Sequence, residues 1–65
     1  MARKKNILVV DDSALMRRLI SDIINSDERF QVSDIAMNGL EAFDLVTRGT
    51  GRYDAILLDI NMPRM

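Results

Sequence analysis

Two apolar runs in this chain end abruptly on acid, and they limit the fold more than any other feature. "ILVV" at positions 7–10 runs straight into Asp11 and Asp12, and "AILL" at 55–58 runs into Asp59. Strands exposed on one face alternate apolar with polar residues; an unbroken run fits a strand buried on both faces, the habit of parallel sheets covered by helices. Parallel strands also need crossover connections, usually helical. The 44 residues between the runs have to supply them.

The spacing predicts a strand over 6–10 and a helix over 14–25. Ser13 suits the N-cap and Asp12 sits near the helix's positive end. Leu15, Leu19 and Ile23 form one helical row, with Met16, Ile20 and Ile24 beside it. Arg17, Arg18, Ser21, Asp22 and Asn25 are expected on a solvated face. After the polar break "NSDER", a weaker strand is expected over 32–36; its Ser33 and Asp34 argue for a sheet edge, where one face stays wet. "NGLE" at 38–41 has capping-box form. The helix it opens is expected to run to about Arg48 and to bury Leu40, Phe43 and Val46, with Ala42 and Leu45 alongside. "RGTGR" supplies a glycine stop, and a third strand is expected over 53–58, opened by Tyr53 as a packing residue. The order β-α-β-α-β with short connections predicts an α/β fold. With right-handed crossovers and the polar strand at an edge, the parallel sheet has strand order 2-1-3 and a helix on each face.

In such sheets ligands bind beyond the carboxyl ends of the strands, where the strand order reverses. Strands one and three meet at that point, so Asp11, Asp12 and Asp59 are expected to converge there. Clustered carboxylates repel, and a divalent cation relieves the repulsion. The chain has no cysteine and no histidine, so a metal must be held by oxygen, which favours Mg²⁺, Ca²⁺ or Mn²⁺ over zinc. Taken singly, each acid is equally well explained as a helix-capping or turn residue; the joint pattern points to a site.

Composition excludes several other classes. At 48% hydrophobic and 29% charged the chain is a folded domain rather than a disordered one. Its 65 residues allow one small domain, and below about 70–80 residues a core rarely supplies more than about 3–5 kcal/mol unaided. The basic "ARKK" start is not extended into a patch, so no nucleic-acid partner is expected. No run approaches the roughly 18 apolar residues of a membrane span, and no membrane partner is expected; a cytoplasmic location is the default. Glycine-rich nucleotide-binding signatures are missing.

"VVDDS", "NGLEA" and "LLDINMP", in this order, resemble the receiver domain of two-component response regulators, and the resemblance covers essentially the whole chain. "DDSALMRRLI" followed by "INSD" is most similar to the receiver at the front of chemotaxis protein-glutamate methylesterases of the CheB type; a single-domain CheY-like regulator is the near alternative. The resemblance implies a flavodoxin-like fold in which Asp59 is the phosphoacceptor, taking a phosphoryl group from a chemotaxis-type sensor histidine kinase. It implies Mg²⁺ as cofactor, held by Asp12 with Asp11, by Asp59 and by the backbone carbonyl of Asn61. Pro63 would stiffen that loop.

A complete receiver has five strands and five helices, so residues 1–65 are expected to be its N-terminal half, stopping after strand three. The hydroxyl residue and the lysine that contact the phosphoryl group in the family follow later strands. This chain is therefore expected to be impaired as a phosphoacceptor and to have no enzymatic activity of its own, the methylesterase catalytic domain lying elsewhere. The alternative function is a self-associating half domain pairing through its open third strand, which makes a homo-oligomer the expected state. A phosphatase with a strand-end aspartate nucleophile is disfavoured, because Ser13 and Asn61 stand where that class wants a second acid.

Overall fold

The computed structural model describes residues 3–48 and 53–59, with the side chain of Asp59 outside the description. Five elements follow one another: β1 (Lys5–Asp11), α1 (Ala14–Asn25), β2 (Phe30–Ala36), α2 (Gly39–Arg48) and β3 (Ala55–Asp59). The three strands form one parallel sheet in the order β2-β1-β3, as the composition of the strands requires. β1 is central and carries the core: Leu8, Val9 and Val10 are fully buried, each stabilising by about 1.5–3 kcal/mol relative to exposure.

Alternation along β1 divides the core between two faces. Leu8 and Val10 pack with Ala36 and with Ala42 and Leu45 of α2, closed off by Tyr53. Ile7 faces the other way, where it lines an apolar cavity of about 240 Å³ with Ile24 of α1, Phe30, Ala55 and Leu57. The helices thus lie on opposite faces of the sheet.

Local chemistry explains the boundaries. Ser13 caps α1 from an extended backbone (φ −101°, ψ 121°), its Oγ accepting the Met16 N–H at 3.3 Å. Past Ser26, Asp27 accepts hydrogen bonds from the Arg29 main-chain N–H and guanidinium. The guanidinium bond is the chief reason that the Asp27 carboxyl is held down at about 2. Asn38 Oδ1 accepts the Glu41 N–H at 2.8 Å, as a capping box requires. The return bond differs: Glu41 Oε1 reaches one residue further, to the Met37 N–H. The glycine stop expected at "RGTGR" falls on residues 49–52, outside the described residues.

β2 is two residues longer than expected, and its register with β1 slips between Ile7 and Leu8, leaving Ser33 as the extra residue. Such a bulge turns the following side chains, which brings Asp34 and Ala36 onto the α2 face. The third strand starts later than expected. Asp54 precedes it, clasping Asn6 through its own N–H to the Asn6 carbonyl and through Oδ2 to the Asn6 N–H.

The helix faces correct the sequence reading. Leu15, Leu19 and Ile23 stay exposed, as do Leu40, Phe43 and Val46. The contacts to the sheet come instead from the Arg17, Ile20, Ser21 and Ile24 side of α1, and from Ala42 and Leu45 of α2. Strands lie about 4.8 Å apart, so three of them offer a strip scarcely wider than one helix. Each helix covers that strip with its inner line of residues, and the rest of its apolar arc stays out.

Candidate functional site

Asp11 closes β1 and is only 2% exposed. Its Oδ1 accepts the Ser13 N–H at 2.8 Å. Oδ2 is buried with no hydrogen-bond partner among the described residues. An unpartnered buried carboxylate oxygen is costly in an ordinary core; beside a bound cation it becomes a ligand. Asp12 follows at once in a bend and is exposed. On the other side of β1 the register sets Asp11 opposite Asp59. The backbones of all three aspartates therefore reach the carboxyl edge of the sheet together, at the β1–β3 boundary where the strand order reverses.

Two of the four expected ligands, Asp11 and Asp12, are placed with their side chains. The third, Asp59, is placed by its backbone alone, and Asn61, with Met62 and Pro63, lies outside the described residues. Among the described residues no three acidic side chains form a metal cage. The donor set still suits Mg²⁺: it is all oxygen, carries an orphaned carboxylate oxygen, and contains no soft ligand.

One residue at this edge was missed by sequence reasoning. Arg17, assigned there to a solvated face, is half-buried, and its Nη1 donates to the Asp11 carbonyl oxygen at 2.9 Å. The available signal was its place in a helical row with Ile20 and Ile24, the row that meets the sheet.

Fold and site define a parallel α/β protein whose acids gather at the carboxyl edge of its central strand and that strand's neighbour. The chain belongs to the response regulator receiver domain family, whose model matches residues 7–65. Its relatives include the protein-glutamate methylesterase/protein-glutamine glutaminase of Pyrococcus horikoshii, 49% identical over 65 residues, covering 100% of this chain and 17% of that protein. A protein-glutamate methylesterase/protein-glutamine glutaminase 1 of Vibrio cholerae is 49% identical over 59 residues, 91% of this chain and 15% of the relative. The corresponding protein of Oceanobacillus iheyensis is 41% identical over 63 residues. The chain spans about a sixth of the length of these relatives. The activities in their names are carried by much longer chains. Among the described residues no helix is long and apolar enough to cross a membrane.

Proposed function

We propose that this protein is a phosphoacceptor of the two-component, chemotaxis type, that Asp59 is the acceptor, and that residues 1–65 are the N-terminal half of its receiver. The observation that carries the reading is the orphaned Oδ2 of buried Asp11, one strand away from Asp59 in register. Asp11, Asp12 and Asp59, with the Asn61 carbonyl, would hold Mg²⁺. When bound, Mg²⁺ supplies positive charge that offsets the carboxylates and the incoming phosphoryl oxygens.

The chain's own part is positional. Ser13 fixes the Asp11 carboxylate through its N–H, and the pairing of β3 with β1 delivers Asp59 to the same edge. In the transfer, an Asp59 carboxylate oxygen attacks the phosphorus of a phosphohistidine. The P–O bond forms as the P–N bond breaks, and the imidazole leaves and takes up a proton. The donor is read as a sensor histidine kinase, from the family and from the methylesterase relatives.

The test is labelling by a small acyl-phosphate donor with Mg²⁺, followed by mass spectrometry. Labelling is expected at Asp59 and should depend on Mg²⁺. Asp59→Asn should abolish it, and chelation of Mg²⁺ should lower it at least tenfold. A label that persists in Asp59→Asn would refute the assignment.

A second reading is favoured by β3 itself. Ile56, Leu57 and Leu58 are all exposed, and β3 pairs with β1 on one side and with no other strand among the described residues. Self-association through that edge would cover them.

A further inference from the structure

Arg17 presents an anomaly of charge. Arg18, Arg29 and Arg48 each pair with an aspartate. Arg17 is half-buried, forms no ion pair among the described residues, and donates instead to a neutral carbonyl, that of Asp11. The carboxylate of that same aspartate is buried with one oxygen unpartnered. Arg17 also borders a cavity of about 190 Å³ shared with Ile35, Ala36, Met37 and Glu41. A guanidinium carries five N–H donors and stays charged at any ordinary pH, so a permanent positive charge is fixed to the main chain of the acid cluster.

We propose that Arg17 is a positioning residue and built-in counter-charge of the acid cluster, holding the Asp11 junction in place and opposing a divalent cation there. The inference rests on the reading of Asp11 and Asp12 as Mg²⁺ ligands. Without the cation, a fixed positive charge eases the mutual repulsion of the carboxylates. With the cation present, the same charge repels it. The acid edge is thereby kept assembled when empty and made weak and readily reversible as a cation site.

The test is Mg²⁺ titration by isothermal calorimetry at low ionic strength, on the protein and on Arg17→Gln, Arg17→Lys and Asp11→Asn. A single positive charge on the order of 8 Å from a divalent one, in a water-like dielectric, changes affinity about fivefold. Arg17→Gln should therefore bind Mg²⁺ about fivefold more tightly, with the gap narrowing as salt is added. Arg17→Lys should stay within twofold of the starting protein. A purely structural role predicts the opposite sign, with both variants weaker, and that result would overturn the proposal, as would an unchanged affinity.

The thermal midpoint gives a second readout, in which each protein is compared with itself in chelator and in Mg²⁺. Arg17→Gln should melt below the starting protein in chelator, and Mg²⁺ should close the gap. A gap that is constant in Mg²⁺ would also overturn the proposal. If the starting protein and Asp11→Asn bind Mg²⁺ alike, the site reading itself fails, and the role of Arg17 fails with it.

Discussion

Tyr53 donates its hydroxyl to Asp34 Oδ2 at 2.5 Å, although the two residues belong to opposite edges of the sheet. Asp34 lies in β2, and Tyr53 just precedes β3; the phenol bridges them over the α2 face of β1, beside Leu8 and Val10. Sequence reasoning gave each residue a separate minor role, Asp34 as an edge marker and Tyr53 as packing. The hydrogen bond to Asp34, then burial and the carboxylate's charge, push the Tyr53 hydroxyl up to about 12 from its ordinary 10.0. Because the folded value is raised, the stability this bond contributes is fully present below about pH 10 and is lost as pH rises through about 12. Tyr53→Phe should cost about 1–2 kcal/mol in urea denaturation at pH 7, since it leaves the half-buried Asp34 carboxylate without its donor. The variant should also lose the extra alkaline destabilisation between pH 10 and 12. A variant as stable as the starting protein would mean that solvent replaces the phenol at no cost.

Each element was legible where a local rule acts alone. The apolar run of β1 specified a buried parallel strand, and Ser13 specified where α1 begins. Ser13→Ala should cost about 0.5–1 kcal/mol, at the low side of cap values because the Oγ···Met16 N distance of 3.3 Å is long; thermal unfolding monitored by far-UV circular dichroism would measure it. The Asp11–Ser13 N–H bond survives that change, so the variant should bind Mg²⁺ as before. What was not legible depends on how much surface the sheet presents. Periodicity finds the apolar arc of a helix but not which part of the arc touches, so Leu15, Leu19 and Ile23 looked like core while Arg17 did not. The slip at Ser33 was hidden as well, because a bulge in β2 forms only against the register of β1. That Asp11, Asp12 and the Asp59 backbone reach one edge of the sheet was readable, because strand ends fix it. The Arg17 contact is a tertiary one between a helix side chain and a strand carbonyl; its row with Ile20 and Ile24 marks the face it lies on but not the carbonyl it meets.

At the scale of the molecule the fold is unbalanced. Among the described residues β1 is covered on both faces and both edges, whereas β3 pairs on one edge alone: Leu58 is 60% exposed, and Leu40 and Phe43 of α2 and Ile23 of α1 are more exposed still. Large aliphatic and aromatic side chains on both helices and on an open strand make an apolar surface of the kind that marks an interface or an aggregation hazard. Stable interfaces bury about 800 Å² per partner, and apolar area covered in one stabilises by roughly 25 cal/mol per Å² before the costs of association are counted. Two copies paired along β3 would form one continuous six-stranded sheet and bring their exposed leucines together. Sedimentation equilibrium should therefore show a concentration-dependent dimer or larger species, and the thermal midpoint should rise with protein concentration, because association stabilises the folded form by mass action. Leu58→Lys and Ile56→Lys set a charge on that edge and should each weaken association at least tenfold. Both side chains are already about half exposed, at 48% for Ile56 and 60% for Leu58, so the monomer should keep its helical circular dichroism. If the Lys variants associate as the starting protein does, the contact runs through the helix rows around Leu19 and Phe43. If the starting protein is monomeric at every concentration and its midpoint is constant, β3 remains uncovered in isolation and is free to pair with another chain segment.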